Sequence, residues 1–231
     1  MTTATPSSPD RIFPVVVKPL SHAARAATRK VIDAPTRIFH WGFTLCFLGA
    51  YITSESEKLR LVHVTLGYTM AGLFAFRIIW GLVGPRHVRL GLLWRKLTGA
   101  PDWFKSLKRA RSPSAINWRQ GQNLLMSAAV VALLFAVIPV TLTGYASLND
   151  WGGKWLKQIH EGAGEFYLWL VIGHLTLIAL LSVLRRKNQA MPMLTGKMEG
   201  VGPDLIRKDH RIIAGCLVAT IAGWWLSQML A

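Results

Sequence analysis

Apolar residues along this chain gather into long blocks, and the charged residues fall between them. The blocks run at about residues 38–53, 61–83, 123–143, 159–184 and 212–231. Each approaches the roughly 20 residues a helix needs to cross about 30 Å of hydrocarbon, although the first is short. Asp33 and Pro35 precede that first block, where a capping carboxylate and a first-turn proline extend it. Pro139 lacks a backbone donor and predicts a bend in the third. The expected fold is an all-α membrane protein. A tail at 1–34 leads into a four-helix transmembrane bundle at 35–184. A basic loop at 185–211 and a fifth C-terminal transmembrane helix at 212–231 follow.

Composition agrees with that pattern. The 231 residues are 52% hydrophobic, with a mean hydropathy of +0.33 and a formal net charge of +16. A charge excess of this size can signal nucleic acid, but these basic residues flank apolar blocks and form no single stripe, so nucleic acid is excluded as a partner. The 27 Lys and Arg are unevenly shared. Arg11, Lys18, Arg25, Arg29, Lys30 and Arg37 precede the first block, and a dense basic group fills 86–119 and another 185–211. The two alternate connections hold only Lys58, Arg60, Lys154 and Lys157, and Arg77 lies inside the second block. By the positive-inside rule the N-terminus is cytoplasmic. The first 30 residues have no apolar core or small-residue cleavage site, and read as a tail.

The cysteines, Cys46 and Cys216, lie inside apolar blocks and cannot build a disulfide framework or a thiolate zinc site. No C-x-x-C-H occurs, so any haem is held without a covalent link. Trp41, Trp80, Trp94, Trp151, Trp155, Trp224 and Trp225 stand near block ends, as interface anchors do. The basic 86–119 segment, with Trp94, Trp103 and Phe104 interleaved, reads as resting on anionic membrane lipid, with partner docking as the alternative.

Seven histidines are present. His22, His87 and His210 lie in basic segments and read as solvated surface residues. His40, His63, His160 and His174 lie inside apolar blocks or at their mouths, where a polar side chain is costly and needs a partner. With alternate helices running in opposite directions, His40 and His174 share the inner level, and His63 and His160 the outer. His160 and His174 are separated by about 21 Å and face nearly the same way on one helix. Two imidazoles from different helices at one depth can hold a flat macrocycle, its iron bound on both faces. The expected metal ligands are His40 and His174 for an inner haem iron and His63 and His160 for an outer one. Zinc or copper would call for additional Cys, Met or carboxylate ligands. Gly42, Gly49, Gly67, Gly72, Gly162, Gly164 and Gly173 leave room for a flat group or a neighbouring backbone. Arg77 sits at the inner level, where its donors suit a haem propionate or a quinone carbonyl; snorkelling to the headgroups is the alternative.

The stretches DAPTRIFHWGF (33–43), LVHVTLGYTMAGLFAFRIIWGLVGPRH (61–87), LTGYA (142–146), HEGAGEFYLWLVIGHL (160–175) and MPMLTGK (191–197) together resemble bacterial cytochrome b561 proteins. The likeness is to the branch related to the cytochrome b subunits of nickel–iron hydrogenases, over about residues 31–200. It implies a four-helix dihaem b core in the bacterial inner membrane, with His40, His63, His160 and His174 as ligands. It also implies electron transfer between a quinone pool and a redox partner such as a c-type cytochrome or a hydrogenase, as a subunit more than a stand-alone enzyme. Two rival readings stay open: a quinol-dependent oxidoreductase acting on superoxide or a metal ion at the outer haem, with Asn149, Asp150, Lys154 and Lys157 lining its site, and a haem-free membrane scaffold.

Overall fold

The computed structural model describes residues 28–112 and 115–230; most of the expected tail, with Arg11, Lys18, Arg25 and His22, lies outside the described residues. Helix α1 spans Ala34–Thr53. Asp33 caps it as expected, its carboxylate accepting the Thr36 amide at 3.2 Å, and Pro35 sits in the first turn, where no intrahelical donor is missed. A short turn leads into α2, Arg60–Val83. The two form an antiparallel hairpin, because Asp33 meets Trp80 at one end and Ala50 meets His63 at the other. Gly49 makes their close approach possible: a Cβ there would lie 2.9 Å from Leu66 Cδ1.

The basic segment after α2 folds into two short helices, α3 at Leu90–Thr98 and α4 at Ala100–Arg109, both amphipathic. A second antiparallel hairpin follows, built from α5 (Trp118–Leu148) and α6 (Gly153–Arg185). Arg185 donates to Gln122 and Asn123 at one end of it, and His160 bonds the Val140 carbonyl near the other. Both helices outrun the apolar blocks that announced them, since the backbone continues through the polar residues at each end. Helix α5 runs through Pro139 without interruption. Helix α8, Arg211–Leu230, closes the chain.

Among the described residues, four segments are long and apolar enough to cross a membrane: Glu57–Val83, α5, α6 and α8. Helix α1 is not among them. It has the 20 residues of α8, so it falls short in apolarity and not in length, with Arg37 and His40 in its first half. The core gathers Phe43, Phe47, Leu66, Met70, Leu73, Val137 and Tyr167 from α1, α2, α5 and α6. Leu217, Ile221 and Trp225 of α8 pack against it, so the last helix is an integral wall of the bundle.

One device was absent from the hydropathy pattern. Strand β1 (Thr28–Lys30) pairs antiparallel with β2 (Lys197–Glu199), which follows the short helix α7 (Met191–Thr195). Val31 and Ile32 donate to the Gly196 carbonyl, and Ala34 to Asp209, so the 185–211 segment is laced onto the start of α1.

Three expectations are corrected here. Trp80 is no interface anchor: it is buried, and its indole donates to Asp33 at 3.1 Å. His87 is not a solvated surface residue, because its Nε2 lies 3.4 Å from the fully buried Asp33 carboxylate. His210 rests edge-on against Trp80 at 5.3 Å between ring centres. Sequence neighbours hid all three: Asp33 engages Trp80 and His87 across the bundle, and Trp80 in turn meets His210. Replacing Asp33 by alanine removes the α1 cap and strands the Trp80 N–H, a loss of about 2–4 kcal/mol. Thermal loss of helical signal in detergent should shift to clearly lower temperature; an unmoved midpoint would contradict this account.

Candidate functional site

His63 lies in the first turn of α2 and His160 near the start of α6, and the two hairpins bring them face to edge. Their ring centres are 6.1 Å apart and their planes cross at 83°. Each ring is held by a backbone carbonyl. His63 Nδ1 lies 2.8 Å from Ala50 O, and His160 Nδ1 lies 3.1 Å from Val140 O. A carbonyl oxygen only accepts, so each Nδ1 carries the proton and each Nε2 keeps a free lone pair. The first of these acceptors follows from helix geometry. Ala50 is near the end of α1, and the Ser54 amide that would have reached it bonds Tyr51 instead.

Gly144 sets the position of His160. A Cβ on Gly144 would sit 2.8 Å from His160 Cε1, so the imidazole lies flat against bare α5 backbone. Thr143 Oγ1 approaches the same Nδ1 at 3.3 Å. The sequence reading missed Gly144 and Thr143 in this role. The visible signal was a glycine following a threonine inside an apolar block; nothing in the sequence marks a carbonyl as an acceptor.

The spacing fits one metal ion between two axial imidazoles. A bond of about 2 Å from metal to nitrogen and about 1 Å from nitrogen to ring centre, on each side, give about 6 Å. Among the described residues no three His, Cys, Asp or Glu side chains gather around a common point. The donor set therefore suits a metal whose other bonds come from a macrocycle.

The second level is less complete. His40 and His174 are half-buried, and His174 is close enough to act on His40 electrostatically. The Nδ1 of each is buried without a hydrogen-bond partner. Buried polar atoms of this kind are rare unless something else satisfies them. Arg77 lies on α2 at the same end, buried and folded back so that Nη2 donates to the Val88 carbonyl at 3.2 Å. Its Nη1 is buried and unpartnered, which leaves one donor for an acceptor such as a carboxylate.

Between the two levels the bundle is packed with aromatic rings: Tyr167, midway between His160 and His174, lies 4.8 Å from Phe47 and 6.4 Å from Phe43. Open space lies where side chains on Gly67, Gly72, Gly162, Gly164 and Gly173 would point, whereas Gly42 and Gly49 are filled by Leu73 and Leu66. The Asn149–Lys157 connection forms no comparable cluster. Asn149 donates to the Tyr145 carbonyl, and Lys157 pairs with Glu161 at the exposed surface.

The family described as prokaryotic cytochrome b561 matches residues 31–196. A probable Ni/Fe-hydrogenase 1 B-type cytochrome subunit of Escherichia coli is 26% identical over 163 residues, covering 60% of this chain and 68% of its own. A probable Ni/Fe-hydrogenase B-type cytochrome subunit of Azotobacter vinelandii is 23% identical over 188 residues, covering 66% and 77%. One from Rhizobium leguminosarum is 24% identical, covering 58% and 66%. No solved structure matches the chain.

Gly144→Ala should displace the His160 ring, because the added methyl and the imidazole cannot share the space. Bound haem should fall toward half of the parent level, while Gly223→Ala on α8, where the space is open, leaves it intact. Equal haem in both variants would remove Gly144 from the site.

Proposed function

This chain belongs to the prokaryotic cytochrome b561 family, and from that premise, of a multi-pass bacterial membrane b-type cytochrome of electron transfer, we propose that it holds two haem b groups and links a quinone pool to a partner redox protein. His63 and His160 would hold the outer haem, and His40 and His174 the inner one. The relatives, cytochrome subunits of nickel–iron hydrogenases, favour a hydrogenase as the partner, with a c-type cytochrome as the alternative.

The observation that carries this reading is the His63–His160 geometry: rings 6.1 Å apart, both Nδ1 atoms engaged by carbonyls. Haem b, when bound, supplies a one-electron iron couple. The residues do the rest. Ala50 and Val140 fix the tautomer and raise the basicity of each outer ligand nitrogen. Gly144 and Thr143 hold the His160 plane. Arg77 offers its free Nη1–H at the inner level to a propionate or a quinone carbonyl. Phe43, Phe47 and Tyr167 keep water out between the levels. Helix α1 completes the bundle as a fifth span, its His40 end cytoplasmic in the inner membrane. There the basic 86–119 and 185–211 segments collect, on the side the positive-inside rule assigns.

The test is haem stoichiometry in purified protein. A reduced-minus-oxidised spectrum should show the b-type α-band, with about two haems per chain. His63→Ala and His174→Ala should each lose about one haem and one redox wave, and quinol should reduce the parent protein. A full haem complement in His174→Ala would end the dihaem reading.

A further inference from the structure

Arg95, Lys96, Asn117, Arg119, Gln120 and Leu124 line a cavity of about 350 Å³ where α3 meets the first turns of α5. No carboxylate lines it, and none of its three cations is in an ion pair among the described residues. Asp102, the nearest acidic residue in sequence, is committed to Lys105 at 3.9 Å. Three like charges around one hollow repel one another, and an anion between them relieves that cost. The other lip is hydrocarbon. Leu124, buried, lines the cavity and opens the apolar stretch of α5, and Trp94, Trp118 and Leu125, each next in sequence to a lining residue, are exposed as an interfacial belt. A water-soluble anion would satisfy the cations and leave the apolar side bare, and a zwitterionic lipid would bring its own headgroup cation up against the three already there.

We propose that this cavity is a binding site for an anionic phospholipid. Arg95, Lys96 and Arg119 take the phosphodiester, Asn117 and Gln120 supply neutral donors, and an acyl chain leaves along the exposed Leu125. The shared chemistry with free phosphate is the anionic phosphate group; the apolar lip selects the lipid. Trp103 braces the site, since its indole donates to the Asn117 carbonyl at 3.1 Å and its ring packs on Gly121 of α5. The proposal needs only that the chain sits in a membrane, and is independent of how many haems it holds.

The haem-loaded protein, reconstituted in phosphatidylcholine nanodiscs doped with phosphatidylglycerol, is released and its retained lipid read by native mass spectrometry. The unaltered protein should keep phosphatidylglycerol in preference to phosphatidylcholine. The triple variant R95Q/K96Q/R119Q should lose that preference at least about tenfold, given the usual worth of each basic residue near an anionic surface. K105Q/K108Q/R109Q removes the same charge from α4 and should keep it. The haem α-band checks that both variants are folded. Absence of preference in the unaltered protein overturns the proposal whatever the variants do. An equal loss in both variants overturns it in favour of a diffuse field. Full competition by inorganic phosphate assigns a phosphate site instead. Capture of polyglutamate through these three cations, with no lipid preference, assigns an acidic protein face and overturns it as well.

Discussion

A ring nitrogen inside an apolar bundle must have a partner, and the way His63 and His160 meet that demand sets the rest of the site. Each gives its Nδ1 proton to a backbone carbonyl, at the end of α1 or inside α5. A carbonyl fixed in a helix cannot swing, so the imidazole is locked in tautomer and heading before any cofactor arrives. The acceptors lie on the neighbouring helix of each hairpin, so the ligands are only as well placed as the hairpins are packed. The Gly49–Leu66 contact and the Gly144–His160 contact are thus part of the chemistry, although neither glycine has a side chain to offer.

The two ends of the bundle solve the same problem differently. At the His63–His160 end the rings are satisfied by the protein. At the His40–His174 end both Nδ1 atoms and Arg77 Nη1 are buried with nothing to meet them. Here the polar investment has gone into Asp33, a fully buried carboxylate that accepts from Thr36 and Trp80 and lies beside His87. A buried charge is tolerated only when it is surrounded by donors, and this one has drawn an indole and an imidazole in from segments that would otherwise face water.

Much of this was legible in the sequence. Apolar blocks announced the helices, Asp33 and Pro35 the start of α1, and helical arithmetic set His63 level with His160, whose rings the hairpins bring to 6.1 Å. Three kinds of feature were not. The weaker apolarity of α1 was one, because Arg37 and His40 dilute its apolar face while tertiary packing keeps it helical. The β1–β2 ribbon joins Thr-Arg-Lys to Lys-Met-Glu, which carry no strand signal and are defined only by each other. The fates of Trp80 and His87 depended on Asp33 and that of His210 on Trp80, and a residue's partner across the bundle cannot be read from its own neighbours.

That ribbon also imposes a schedule on assembly. Residues 28–30 emerge from the ribosome long before their hydrogen-bonding complement at 197–199, which is made only after both hairpins exist. The outer histidines can be brought together once α6 is in place, whereas the inner rim waits for nearly the whole chain. Closing so long a loop carries an entropy cost that only the finished bundle offsets. The latch is therefore a late event, and a nascent chain stalled before β2 would hold one finished end and one open one.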